Sequence, residues 1–118
     1  MIDQAQTWFN LAEAYRSIGR YEQAIESYDE AIRCAPQYYD AWLKLGETYA
    51  HAGQSNKAVE ALQTAVGLRP EDTLGWTVLG SIYHVIGGRA GVLEVYNRLL
   101  KLDLEYAKKF YERFVFGR

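Results

Sequence analysis

The sequence predicts an all-α protein, a stack of antiparallel helix pairs closed by a short C-terminal helix, with seven helices and no strands. Three observations carry this reading. Trp8, Trp42 and Trp76 recur 34 residues apart, and Leu11, Leu45 and Leu79, Tyr15, Tyr49 and Tyr83, and Gly19, Gly53 and Gly87 keep the same step. Within a period the apolar spacing is helical, with Trp8, Leu11, Ala12 and Tyr15 at i, i+3, i+4 and i+7, so that they share one face. A glycine divides each period, and Pro36 and Pro70 close the first two, since proline cannot continue a helix. A period of this length is the signature of stacked units, because one helix pair alone cannot bury its apolar face.

Taken in order, the helices are expected at about 4–18, 21–34, 39–52, 55–68, 73–86, 89–102 and 105–115. Residues 1–118 then form a single domain of units 5–38, 39–72 and 73–106, closed by a capping helix at 105–115. Ser55 and Asp72 are the expected N-caps of the fourth and fifth helices, and the first and third have weaker caps. In the second helices, Gly46 of the neighbouring helix, Ala58 and Ala65 leave room for the Trp and Tyr rings. In the last helix Tyr106, Phe110 and Phe114 form an apolar stripe, and Glu105, Lys108, Lys109, Glu112 and Arg113 supply polar cover. Tyr111, Val115 and Phe116 exceed what capping needs, which offers a self-association surface and a homodimer.

Bulk composition narrows the function classes. Hydrophobic residues make up 49% and charged residues 24%, ordinary for a folded globular chain. Thirteen basic against 15 acidic residues leave a net charge of -2, with no positive field to collect nucleic acid. The lone Cys34 reads as a small core residue. No segment has the form of a signal peptide or a membrane span, so the expected location is cytoplasmic and no membrane partner is expected.

The pattern Trp-x-x-Leu-Gly-x-x-Tyr, then Ala-x-x-x-aromatic, then Pro resembles the tetratricopeptide repeat over about residues 5–104. Trp42, Leu45, Gly46, Tyr49, Ala58, Leu62, Ala65 and Pro70 carry it in the second unit, and Trp8, Leu11, Ala12, Tyr15, Ala24, Tyr28, Ala31 and Pro36 in the first. In the third, Val92, Leu99 and Leu104 stand where the family has Ala, Ala and Pro, so this hairpin should pack more loosely or at a shifted angle. The resemblance implies a right-handed superhelix and a non-catalytic interaction module that takes a peptide segment or helix of a protein partner in a concave groove. Its implied lining is Gln6, Phe9, Asn10, Glu13, Arg16 and Ser17; Asp40, Leu43, Lys44, Glu47 and His51; and Leu74, Thr77, Val78, Ser81, His84 and Val85. Phe9, Leu43, Leu74, Val78 and Val85 would receive apolar side chains. The charged residues serve either as ligand contacts or as a solvated face.

One subgroup of that family grips the C-terminal carboxylate of heat-shock chaperones with Lys and Asn, then Asn, then Lys and Arg. Phe9 and Glu13, then Lys44, then Leu74 and Val78 stand at those positions here, so a chaperone tail is not the expected ligand. The alternative function is a scaffold that self-assembles through the C-terminal helix or by end-to-end stacking. No cofactor and no catalysis are expected. Glu47 and His51 are spaced i, i+4 with His84 on the equivalent face of the next unit, an arrangement more often incidental than metal-binding. Gly87-Gly88-Arg89-Ala90-Gly91 joins two helices and reads as a loose turn, not a phosphate loop.

Overall fold

The computed structural model describes residues 3–116, and among them there is no strand. Six helices pair in sequence: α1 (Gln4–Ser17) with α2 (Tyr21–Cys34), α3 (Tyr39–His51) with α4 (Ser55–Leu68), and α5 (Thr73–Val85) with α6 (Arg89–Leu102). A short α7 (Leu104–Phe110) runs on into a π-helical segment, Tyr111–Phe116. Each helix meets the next, so the pairs line up along a 46 Å axis with α1 and α2 at one end and α7 at the other.

The turns inside the pairs share one geometry, set by glycine. Gly19, Gly53 and Gly87 have φ of 79°, 81° and 76°, which a side chain would resist. That backbone lets the following N–H reach back five residues: Arg20 to the Tyr15 carbonyl at 2.9 Å, Gln54 to Tyr49 at 2.8 Å and Gly88 to Tyr83 at 2.7 Å. The expected loose turn at Gly87 is therefore as closely bonded as the other two.

Between pairs, the tryptophan fixes the connection. Trp42 Nε1 donates to the Pro36 carbonyl at 2.9 Å and Trp76 Nε1 to the Pro70 carbonyl at 2.8 Å. The recurrent Pro and Trp are thus two ends of one bond, which satisfies the indole N–H of buried Trp76 and of partly buried Trp42. Asp72 caps α5 as expected, accepting from Leu74 N–H at 3.0 Å. Ser55 does not cap α4; it is the first helical residue, and Gln54 precedes it without a side-chain bond. The first helix is better capped than expected, because Asp3 accepts from the N–H groups of Ala5 and Gln6.

The core has two parts. Ala12, Ala24, Tyr28, Leu45 and Ala61 pack around the first interface, and a larger cluster runs from Tyr39 and Leu62 through Trp76, Leu79, Val95 and Leu99 to Phe110. The third pair meets along less of its length than the first. Val92 and Leu99 are buried there in place of alanine, and close approach shifts by one residue to Gly91, where an added Cβ would lie 2.5 Å from the Tyr83 ring. With Leu104 where the family has proline, α7 starts after one linking residue, Asp103, which ends α6 and caps α7.

Two core expectations fail. Leu11 is 40% exposed although Leu45 and Leu79 in the same register are buried, because α2 and α4 pack against α3 and α5 whereas no described helix covers that side of α1. Cys34 is exposed rather than a core residue, since it is the last residue of α2, beyond the buried Ser27 and Ala31.

Candidate partner-binding face

The expected lining residues lie on the first helices of the three pairs, α1, α3 and α5, and their surroundings differ. On α1, Phe9 is half-buried, packed edge-on against Tyr28 at 5.8 Å and stacked on Tyr38 at 5.1 Å. Tyr38 Oη donates to Gln6 Oε1 at 3.1 Å and Gln6 Nε2 donates to Asn10 Oδ1 at 2.9 Å. Exposed Ser17 turns its hydroxyl to its own helix, on the Ala14 carbonyl.

The charged pair on α1 is anchored to the core. Arg16 Nε donates to Glu13 Oε1 at 3.2 Å and lies 3.2 Å from Tyr28 Oη, which itself donates to Glu13. Burial, the largest influence on Glu13, favours its neutral form, but the bonds from Tyr28 and Arg16 and the charges of Arg16 and Lys44 outweigh it and hold the carboxyl below the ordinary 4.5. A carboxyl depressed in the folded state adds stability that is present above its unfolded pKa and is lost as pH falls through the folded one. Replacing Tyr28 with Phe should therefore lower stability at neutral pH by about 1 kcal/mol, with the gap from the parent narrowing in urea titrations below about pH 4. An equal gap at pH 7 and pH 3 would show that Glu13 is not what the hydroxyl serves.

On α3, Asp40 and His51 are exposed, and Lys44 and Glu47 pair at 3.7 Å. His51 stacks on Tyr21 at 5.7 Å. Leu43, expected on the open face, is buried at 3% exposure, because α5 folds against α3 and draws it into the larger core cluster. Glu47, His51 and His84 are not gathered, and no group of three or more metal-ligating side chains occurs among the described residues.

The third unit adds a concavity on this side. Thr77, Val78 and Ser81 of α5 face Tyr106, Lys109, Phe110, Arg113 and Phe114 across a cleft of about 440 Å³. Val78, Phe110 and Phe114 give it an apolar floor, and Lys109 and Arg113 stand exposed at its rim. Thr77 and Ser81 spend their hydroxyl protons on the Thr73 and Val78 carbonyls at 2.8 and 2.7 Å, so each presents an oxygen lone pair. Leu74 is exposed beside it, and exposed His84 packs against Phe114 at 5.3 Å, with Val85 in solvent. The α7 wall of this cleft is not legible as a site in the sequence, where Lys109 and Arg113 read as polar cover.

At the extreme end, Tyr111 is exposed and its ring lies 5.3 Å from Tyr96 and 6.3 Å from Phe116. Phe116 is 71% exposed, whereas Val115 is half-buried against the core and lines a smaller cleft of about 200 Å³ with His84, Arg89 and Leu93.

Helix hairpins stacked in register, with one open face formed by the first helix of each, define a helical-repeat protein. A family profile described as tetratricopeptide repeat matches residues 9–73. The chain belongs to the tetratricopeptide repeat family. No curated protein matches the sequence. Two crystal structures of MamA are similar, each 26% identical, with TM-scores of 0.82 and 0.83 over 90% and 95% of this chain. The chain spans about three-fifths of their length, 62% and 61%. The Sgt2 TPR domain from Aspergillus fumigatus is 20% identical with a TM-score of 0.85, covering 98% of this chain and 80% of its own. The first TPR of Spaghetti (RPAP3), bound to the HSP90 peptide SRMEEVD, is 17% identical with a TM-score of 0.84, covering 97% of this chain and 92% of its own. Among the described residues no helix is long and apolar enough to cross a membrane.

Proposed function

We propose that the chain is a non-catalytic interaction module, a single domain whose concave face takes a peptide segment or helix of a protein partner. The cleft between α5 and α7 carries this reading: an apolar floor wide enough for one large aliphatic or aromatic side chain, with two cations at its edge. The ligand segment is accordingly apolar with a carboxylate nearby. Phe9, Asn10, Lys44 and Leu74 continue the surface along the face, while the Glu13–Arg16 and Lys44–Glu47 pairs set its charge. At the positions that grip a chaperone tail in the resembled subgroup, Lys44 is the one cation, which favours a ligand held at α7 over one held by its terminal carboxylate.

The test uses peptides selected on the parent protein from a displayed random library. Lys109→Glu with Arg113→Glu reverses two exposed charges without touching the core and should weaken those peptides at least about tenfold, with the parent's helical spectrum unchanged. Equal affinity for parent and variant would place the ligand elsewhere.

A further inference from the structure

The geometry points to a head-to-tail contact between copies of this chain, in which the α1 end of one copy receives the α7 end of the next. Two independent observations place complementary surfaces at the ends of the 46 Å axis. The first is a stripe on α1: Thr7, Leu11, Ala14 and Ile18 follow at steps of four, three and four residues, all exposed, with Ile18 at 68%. One period on, Ala41, Leu45 and Thr48 are buried at 0%, 3% and 0%. The α1 stripe thus has the register of a packing surface that a preceding helix pair covers in the second and third units. The second observation is charge. Residues 1–38 hold 6 acidic and 3 basic side chains, and residues 73–118 hold 4 acidic and 7 basic ones. Exposed Glu22 and Glu26 lie at the first end, and exposed Lys101 and Lys109 at the other, where Tyr111 and Phe116 also stand exposed.

An apolar stripe inside an acidic end matches exposed aromatics inside a basic end, whereas two like ends repel. That favours a contact between unlike ends over a two-fold contact between capping helices. Lys109 borders both this end and the α5–α7 cleft, whereas Leu11 and Ile18 lie at the opposite end of the axis from the cleft.

Sedimentation equilibrium of the full chain tests it, at about 0.02 M and about 0.5 M salt, because end charges are screened beyond about a Debye length. The average mass should rise with protein concentration, more steeply at low salt. Leu11→Gln with Ile18→Gln disables one end and Tyr111→Gln with Phe116→Gln the other; each variant alone should stay monomeric. An equimolar mixture should reach twice the monomer mass and stop there, since one live end remains on each partner. A parent monomeric at high concentration in low salt overturns the inference. So does a dimer that survives in the Leu11 and Ile18 variant, which would mean a tail-to-tail contact. Peptide capture in the α5–α7 cleft should be unchanged in that variant, so failure of one proposal leaves the other readable.

Discussion

Gly80→Val is expected to loosen the terminal helix from the stack and lower stability by about 3 kcal/mol. Gly80 lies on the side of α5 where α7 crosses, and a Cβ there would sit 2.5 Å from Phe110 Cζ and 3.0 Å from Val95 Cγ1. Neither neighbour can yield, because Phe110 is 3% exposed and Val95 fully buried. Higher helix propensity of the new residue returns less than about 1 kcal/mol of this. For a chain of this size the melting temperature should fall by roughly 10–15 °C by circular dichroism. Phe110 also floors the α5–α7 cleft, so peptide binding should be lost at temperatures where the rest of the stack is still helical. Adding Phe110→Ala, itself costly through lost burial, should make the double variant less than additively destabilised. Full additivity would mean that the two residues do not share one contact.

Leu43→Glu is the second large effect, because the face on which it was expected and the core in which it lies predict opposite outcomes. Buried at 3% in the cluster that holds Leu62, Trp76 and Leu79, a carboxylate there has no designed partner. The cost should be at least about 4 kcal/mol, most of the stability of an ordinary domain. Leu74→Glu, at a residue 47% exposed on the same side, should stay within about 0.5 kcal/mol of the parent. Urea unfolding compares the two. Equal small losses would show that Leu43 faces solvent after all.

Leu43 marks where the sequence stops being legible. Its register on α3 places it on the outward side of one helix pair, and a single pair is all that local periodicity describes. Burial comes from α5, one unit further on, through the curvature of the stack. Leu11 shows the reverse: its register is that of a core residue, but the covering pair is a property of position in the array. The helix boundaries, the three glycine turns and the Trp–Pro spacing were readable because each rests on contacts within one period or across one junction. The Glu13–Tyr28 bond had a weak signal, since a tyrosine rather than a phenylalanine at a core slot needs an acceptor for its hydroxyl. The α5–α7 cleft had none, because Lys109 and Arg113 lie beyond the repeats, on a helix whose start is displaced by the absence of a proline at Leu104.

If the third-unit cleft seats a partner segment, binding must perturb the residues that line it. Amide and methyl chemical-shift mapping of the labelled protein with a library-selected peptide tests it most directly. Saturable shifts are expected, concentrated on Thr77, Val78, Ser81, Lys109 and Arg113 and extending toward Lys44. Shifts concentrated instead on the outer sides of α2 and α4, with the α5–α7 cleft unmoved, would contradict it.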